Sequence, residues 1–131
     1  RKPYRAFRST HDALIWVGRK ASDNTELTFH RASGNDTWLH ARGSSGSHVI
    51  VKNTIDKISA DTLIDAAHLA VWFSSIRGVS RALVHYTERK HVRNAGKGSA
   101  LGLVYISQER VMHLAFDEGR LKRILESEHN A

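Results

Sequence analysis

The residues best suited to catalysis or ligand binding lie in the stretch NDTWLHARGSSGSHVIV, residues 35–51. Side chains alternate between the two faces of a β-strand, so Trp38, His40 and Arg42 are expected to share one face. An aromatic ring flanked by cations can stack on a nucleic-acid base while the charges contact phosphates. The GSSGS turn adds backbone N–H groups and hydroxyls that can hold a phosphate. The stretch therefore predicts base or ribose contacts from Trp38 and His40, and phosphate contacts from Gly46, Ser47 and His48.

The same residues allow two other interpretations. In the first, Trp38 belongs to the core, the histidines are satisfied packing residues and GSSGS is only a flexible turn. In the second, His40, His48 and Asp36 form the centre of a nuclease or other hydrolase, which the nine histidines of the chain make worth weighing. No histidine pair has the H-x-x-x-H spacing on a predicted helix, and no carboxylate cluster accompanies the histidines. We therefore predict no catalytic residue, no metal and no cofactor.

A second group of charges runs from Arg77 to Lys97. It contains six Lys and Arg residues and one carboxylate, a local balance of +5. Cations in a glycine-containing loop can approach a phosphate backbone closely, and each contact adds salt-dependent affinity. The loop cations Lys90, Arg93 and Lys97 are therefore predicted to supply electrostatic contacts. Arg77 is a separate case, because it could simply complement the C-terminus of a helix.

Composition narrows the class of protein. The chain has 131 residues, of which 40% are apolar, enough for a single domain with a small core. A formal charge of +7 favours an anionic partner such as nucleic acid. Cysteine is absent, no apolar run is long enough to span a bilayer, and RKPYRAFRS at the start lacks a signal-peptide core. We expect a soluble, cytoplasmic domain with no membrane or small-molecule partner, and the initial Arg allows that it is excised from a longer protein.

Periodicity predicts an α+β domain, in which one long helix and short helices accompany a mostly antiparallel sheet of about six to seven strands. The strands are predicted at residues 4–8, 14–18, 37–42, 48–53, 81–87, 101–106 and 110–116. The last two form a closing hairpin, and residues 88–100 form a basic loop. The long helix covers residues 59–77 with Ser59 as its N-cap, and its apolar circumference predicts deep packing across the sheet. A short helix over residues 22–32 is predicted to begin at Ser22 or Asp23, and residues 117–129 have helical spacing.

The order of these motifs resembles the NFACT-R domain, also called the Rqc-type or fibronectin-binding-protein-A-like RNA-binding domain. The resemblance covers roughly residues 3–116 and rests on IWVGRKASDNTELTF, DTWLHARGSSGSHVIV, DAAHLAVWFSSIR and VHYTERKHVRNAGKGSALGLV. The pattern of the family falls on Gly18, Arg19, Asn24, Asp36, Trp38, His40, Gly46, Ser47, His48, Ala66, Ala67, Ser74, Arg77, Tyr86, Lys90, Val92, Arg93, Lys97, Gly98 and Gly102. The chain departs from it at Ala13 and Leu101, where members often carry Gly and Pro.

The resemblance implies a non-catalytic RNA-binding module that acts on tRNA or ribosomal RNA at large ribosomal subunits, in the quality control of stalled nascent chains. The residues that we expect to contact RNA are Arg19, Asn24, Trp38, His40, Arg42, Gly46, Ser47, His48, Arg77, Lys90, Arg93 and Lys97. Asp36, in the same motif, is expected to orient a neighbouring His or Arg. The competing hypothesis is a protein-interaction domain that docks on a ribosomal protein or a partner domain through an exposed sheet edge.

Overall fold

A six-stranded antiparallel sheet forms the framework of the structure, a computed structural model that describes residues 1–95 and 103–130. The strands are β1 (Arg5–Arg8), β2 (Leu14–Val17), β3 (Thr37–Ala41), β4 (Val49–Val51), β5 (Arg81–Glu88), β6 (Val92–Asn94), β7 (Val104–Ile106) and β8 (Arg110–Ala115). The order in the large sheet is β1-β2-β4-β3-β5-β8, and β6 pairs with β7 in a separate two-stranded sheet. The predicted α+β class is confirmed.

Helices connect and cover these strands. They are α1 (Ala21–Glu26), which continues into a π-helix (Leu27–Arg31), α2 (Ala60–Trp72) and α3 (Glu118–Glu126), and two short 3-10 turns occur at Ile55–Lys57 and Arg89–His91. The predicted cap of α2 is confirmed, because the Thr62 amide donates to Ser59 Oγ at 3.0 Å. The predicted caps of α1 are wrong, since Lys20 holds the N-cap position without a side-chain hydrogen bond. No helix within residues 1–95 and 103–130 is long and apolar enough to cross a membrane.

The main core lies between one face of the large sheet and helices α2 and α3. Leu39, Val49 and Val51 point from the sheet into this core and are fully buried. Opposite them, Ala66 and Ala70 allow α2 to approach the strands closely, and Leu69 fills the space beside them. The deep packing predicted for the long helix is therefore confirmed, although α2 ends at Trp72 rather than at Arg77.

The other face of the large sheet is also covered. Trp38 and Ile50 are adjacent on β3 and β4, and both pack against Leu27 of the π-helix and Val92 of β6. Because the small sheet and the helical segment close over the centre of this face, both faces of β3 and β4 are buried. This arrangement leaves only the ends of β3 and β4 accessible on that side.

The predicted closing hairpin is wrong. Strand β7 pairs with β6, with Arg93 opposite Tyr105, while β8 pairs with β5 along its whole length. The predicted loop at 88–100 therefore contains a strand. Only three residues of β6 are paired, and two of them are polar, so the alternation was too short to detect.

Candidate nucleic-acid interface

A cleft of about 910 Å³ opens where β3 ends and the loop 43–48 leaves the sheet. Its walls are formed by the loop itself, the start of α1, the turn that follows α2 and the segment around β7, together with one residue each of β3 and β5. These segments are distant in sequence, and the large sheet brings them to one end of the domain. The cleft includes seven of the predicted contact residues, namely Arg19, Asn24, His40, Gly46, Ser47, His48 and Arg77.

The loop 43–48 is fixed by close backbone contact with the end of α2. A Cβ atom added to Gly46 would lie 2.6 Å from Ser74 Cβ, so only glycine fits this approach. The Ser47 amide donates to the carbonyl oxygen of Phe73 at 2.9 Å, and the Ser75 amide donates to that of Ser45 at 2.7 Å. The GSSGS segment is therefore a positioned wall of the cleft and not a flexible turn.

Asn24 holds the same loop from the other side. Its Oδ1 accepts from the His48 amide at 3.0 Å, and its Nδ2 donates to the Gly46 carbonyl at 3.3 Å. The side chain approaches Gly18 so closely that a Cβ there would lie 2.1 Å from Oδ1. Asn24 is only 5% exposed, so the predicted RNA contact is corrected: its amide is used within the protein to position the loop.

The histidines of the cleft differ in what they can offer a ligand. His48 is 2% exposed, and its Nδ1 lies 2.7 Å from Thr28 Oγ1, so its imidazole does not reach a phosphate and the predicted contact is corrected. His40 remains partly exposed beside the rings of Trp38 and His48. Burial lowers the pKa of His40, and the nearby His85 lowers it further, while a hydrogen bond to the Gly46 backbone acts in the opposite direction. The balance of these effects favours the neutral form of His40.

Trp38 is fully buried, which corrects the prediction that it stacks on a base. Its indole packs with Leu27, Ile50 and Val92 beneath the helical segment and the small sheet. Strand alternation correctly places Trp38 and His40 on one face, with ring centroids 5.9 Å apart. The small sheet covers that face at Trp38 but does not cover it at His40. The alternation of side chains along a strand does not indicate where another element covers the strand.

The predicted cations do not form one group. Arg19 and Arg77 line the cleft, and the Arg77 guanidinium also covers the Trp72 ring at 4.0 Å and donates to the Trp72 carbonyl. Arg42 is exposed just beyond β3. Lys90 lies 3.0 Å from Glu88, and its amide donates to Gly34, so it belongs to a separate surface. Arg93 lies on β6, and Lys97 is outside the described residues.

The charge of the cleft is one-sided. Among the described residues that line it are three full cations and no carboxylate. Two of them, Arg19 and Arg77, were predicted; the third, Lys20, was missed although it is adjacent to Arg19. His85 was missed as well, because only the pairing of β3 with β5 places it opposite His40. The cleft thus combines positive charge with serine hydroxyls, which suits an anionic, phosphate-bearing ligand.

The structure does not bring Asp36 close to His40, as the hydrolase hypothesis requires. Asp36 precedes β3, where it accepts from Lys52 Nζ at 2.6 Å and from the Ser33 amide at 2.8 Å. His40 lies four residues along the same strand, about 13 Å away at the rise of an extended chain. Asp36 therefore orients neither His40 nor an arginine, and its expected partner is corrected to Lys52.

Comparison with known proteins identifies the class to which this fold and cleft belong. Residues 3–107 match the family described as the NFACT protein RNA binding domain, and the chain belongs to that family.

Individual relatives agree with this assignment. The chain is similar to the Rqc2 homolog RqcH of Streptococcus suis (31% identity over 121 residues, 92% of this chain and 22% of the relative) and of Bacillus subtilis (31% over 105 residues, 80% and 18%). It is also similar to the solved C-terminal part of the fibronectin/fibrinogen-binding protein of Streptococcus suis, with a TM-score of 0.85, 30% identity and coverage of 95% of this chain and 49% of that one. The chain thus spans about a fifth of the length of these curated relatives.

Proposed function

We propose that this chain is a non-catalytic RNA-binding module that holds tRNA or ribosomal RNA in the cleft at the end of β3. In this role it would act at the large ribosomal subunit, in the cytoplasm, during quality control of stalled nascent chains. Membership of an RNA-binding domain family supports the ligand class, and similarity to the Rqc2 homolog RqcH supports the cellular setting.

The observation that carries the proposal is the one-sided charge of the cleft. Arg19, Lys20 and Arg77 surround it, and no described lining residue bears a carboxylate. A phosphodiester backbone is the biological polymer that best matches such a surface, because each neutralised phosphate releases counterions. The net charge of +7 for the whole chain adds long-range attraction of the same sign.

The arrangement of the site supports binding rather than catalysis. The carboxylate of the motif, Asp36, is held by Lys52 at the other end of β3 and so does not orient His40. His48 is occupied by Thr28 in the interior. In contrast, the loop 43–48 is rigidly attached on both sides, as expected of a preformed binding surface.

The test is binding of the purified chain to labelled tRNA and to a labelled ribosomal RNA fragment across a salt series. The parent is compared with the double variant Arg19→Ala/Lys20→Ala, which removes two cations from the cleft. The matched control is Lys122→Ala/Arg123→Ala, which removes the same charge from exposed positions of α3.

The parent is expected to bind with a steep dependence of log K on log salt. The cleft variant should reduce the slope by up to about 2, close to one unit per lost phosphate contact, while the control leaves it unchanged. Equal effects of the two variants would mean that only net charge matters, and the cleft would then not be the interface. Cleavage of RNA that the chain catalyses would refute the non-catalytic role.

A further inference from the structure

The small sheet formed by β6 and β7 has one face that packs and one face that does not. Val92, Val104 and Ile106 point inward and join the cluster around Trp38. On the outward face, Arg93 is directly opposite Tyr105 in the antiparallel register. Residues at such positions have Cβ atoms about 5 Å apart, so the side chains of Arg93 and Tyr105 leave the sheet from neighbouring positions.

The outward face exposes an unusual amount of apolar surface. Tyr105 is 67% exposed and Leu103 is 57% exposed, more than the other exposed large hydrophobic side chains of residues 1–95 and 103–130. Leu103 immediately precedes β7 and lies two residues before Tyr105, so the alternation of an extended chain places the two side chains on the same side. Within that described part of the chain the Tyr105 ring has no aromatic partner, and its hydroxyl has no hydrogen bond. Neither ring stacking nor hydrogen bonding within the described residues therefore accounts for its exposure.

We propose that Tyr105 is a stacking platform for an unpaired base of single-stranded RNA, and that Arg93 contacts the phosphate next to that base. The inference rests on the proposed RNA-binding function and extends it, because it adds a second contact surface and specifies unpaired RNA as its ligand. Sheet faces with exposed aromatic side chains are a known way for RNA-binding domains to hold splayed bases. The ring supplies a π-face that accepts any base. The cation supplies the positive charge that pairs with the phosphate of the RNA backbone.

Two further observations favour RNA over a protein partner at this face. The residue opposite Tyr105 in the register is a cation, Arg93, which matches a phosphate and would have no partner on an apolar protein surface. The face also borders the cleft, because Leu103, which lies on the same side as Tyr105, is one of the residues that line the cleft wall. One strand of RNA could therefore run from the cationic cleft onto the platform, with its phosphates in the cleft and a base on Tyr105.

The experiment measures binding of the chain to a labelled oligouridylate of about eight nucleotides, and to a fully paired RNA duplex, across a salt series. Four variants are compared: Tyr105→Phe, Tyr105→Leu, Arg93→Ala and the charge-matched control Lys122→Ala. Because Tyr105 is exposed, none of its variants disturbs the core. The Leu variant keeps apolar area without a π-face, and the Phe variant keeps the face without the hydroxyl. The ring resonances of Tyr105 are followed by NMR in the same titration.

The expected result is that Tyr105→Leu weakens binding of the oligouridylate about 5- to 150-fold with an unchanged salt slope, while Tyr105→Phe binds like the parent. Arg93→Ala should reduce the slope by about 0.7, and Lys122→Ala should not. The Tyr105 ring resonances should shift upfield as the base stacks.

Three results would overturn the platform. The first is binding of Tyr105→Leu within twofold of the parent. The second is an equal loss on the duplex, which has no unpaired base. In both of these cases, salt-dependent binding of tRNA by the parent would leave the proposed function standing. The third is a parent that binds neither tRNA nor the oligouridylate at low salt, which would refute the platform and the proposed function together.

Discussion

Replacing Asn24 by alanine tests how the cleft is built. The substitution removes the acceptor of the His48 amide and the donor to the Gly46 carbonyl, at 3.0 and 3.3 Å. A buried N–H that loses its partner costs about 1–3 kcal/mol, and the longer bond to the carbonyl adds a smaller amount. The higher helix propensity of alanine in α1 offsets roughly 0.5 kcal/mol of this loss of stability. The expected loss is therefore about 2 kcal/mol in the free energy of unfolding.

Urea denaturation measures this loss directly. With a slope m near 2 kcal/mol/M, the midpoint should fall by about 1 M while m stays constant. Ser22→Ala on the exposed side of α1 is the control, and its midpoint should change by no more than about 0.25 M. If Asn24→Ala has the same urea midpoint as the control variant, the Asn24 amide does not hold the loop. A direct RNA contact by Asn24 then becomes the better explanation of its place in the motif.

Three further predictions concern the loop, the last helix and a buried histidine. Gly46→Ala should lower the free energy of unfolding by about 1–3 kcal/mol, because the new methyl would lie 2.6 Å from Ser74 Cβ. Arg120→Ala should cost about 3 kcal/mol, since it leaves the buried Asp65 carboxylate without the guanidinium 2.8 Å away. Burial lowers the pKa of His68 from 6.5, so the unfolded chain binds a proton that the folded chain resists. The free energy of unfolding should therefore fall as pH drops below about 6.5, and less steeply in His68→Gln.

Urea denaturation checks all three, the last one as a pH series. Lys122→Ala is the control for Arg120→Ala, because both residues lie on α3 and only Arg120 contacts Asp65. Stability of Gly46→Ala equal to that of the parent would show that the loop can move away from α2. The pKa of His40 is lowered by burial in the same direction, so His68→Gln should retain part of the pH dependence, and a flat profile in the parent would contradict both assignments.

The sequence predicted those elements whose patterns are long. Helix α2 presents eight buried positions in thirteen residues and a serine cap, so its start and its burial were both readable. The strands β3 and β4 were predicted as well, because the GSSGS segment separates two alternating runs, and the structure pairs them. Strands β6 and β7 have three residues each, and their pairing depends on the helical segment and Trp38 beneath them. Such short strands are stabilised by tertiary contacts that no local pattern records.

The candidate site was predicted in part for a related reason. Alternation indicates which side chains share a face, and it correctly grouped Trp38 with His40. It does not indicate where another element covers that face, so the buried Trp38 and the accessible His40 could not be distinguished. The meeting of Arg19 with Arg77 in one cleft also depends on the sheet, since 58 positions separate them in the chain.

The motif therefore contains two kinds of residue, which the sequence alone does not distinguish. Gly18, Asn24 and Gly46 hold the loop 43–48 in place through close approach and hydrogen bonds within the protein. The exposed cations, such as Arg19, whose guanidinium also donates to the Lys2 carbonyl at 2.7 Å, present positive charge to an external phosphate. Substitution of a holding residue should lower stability and affinity together without changing the salt slope, because no phosphate contact charge is removed. Substitution of a contact residue should lower the slope and leave stability within about 0.5 kcal/mol. Measuring both quantities for each variant thus assigns every position of the motif to one kind or the other.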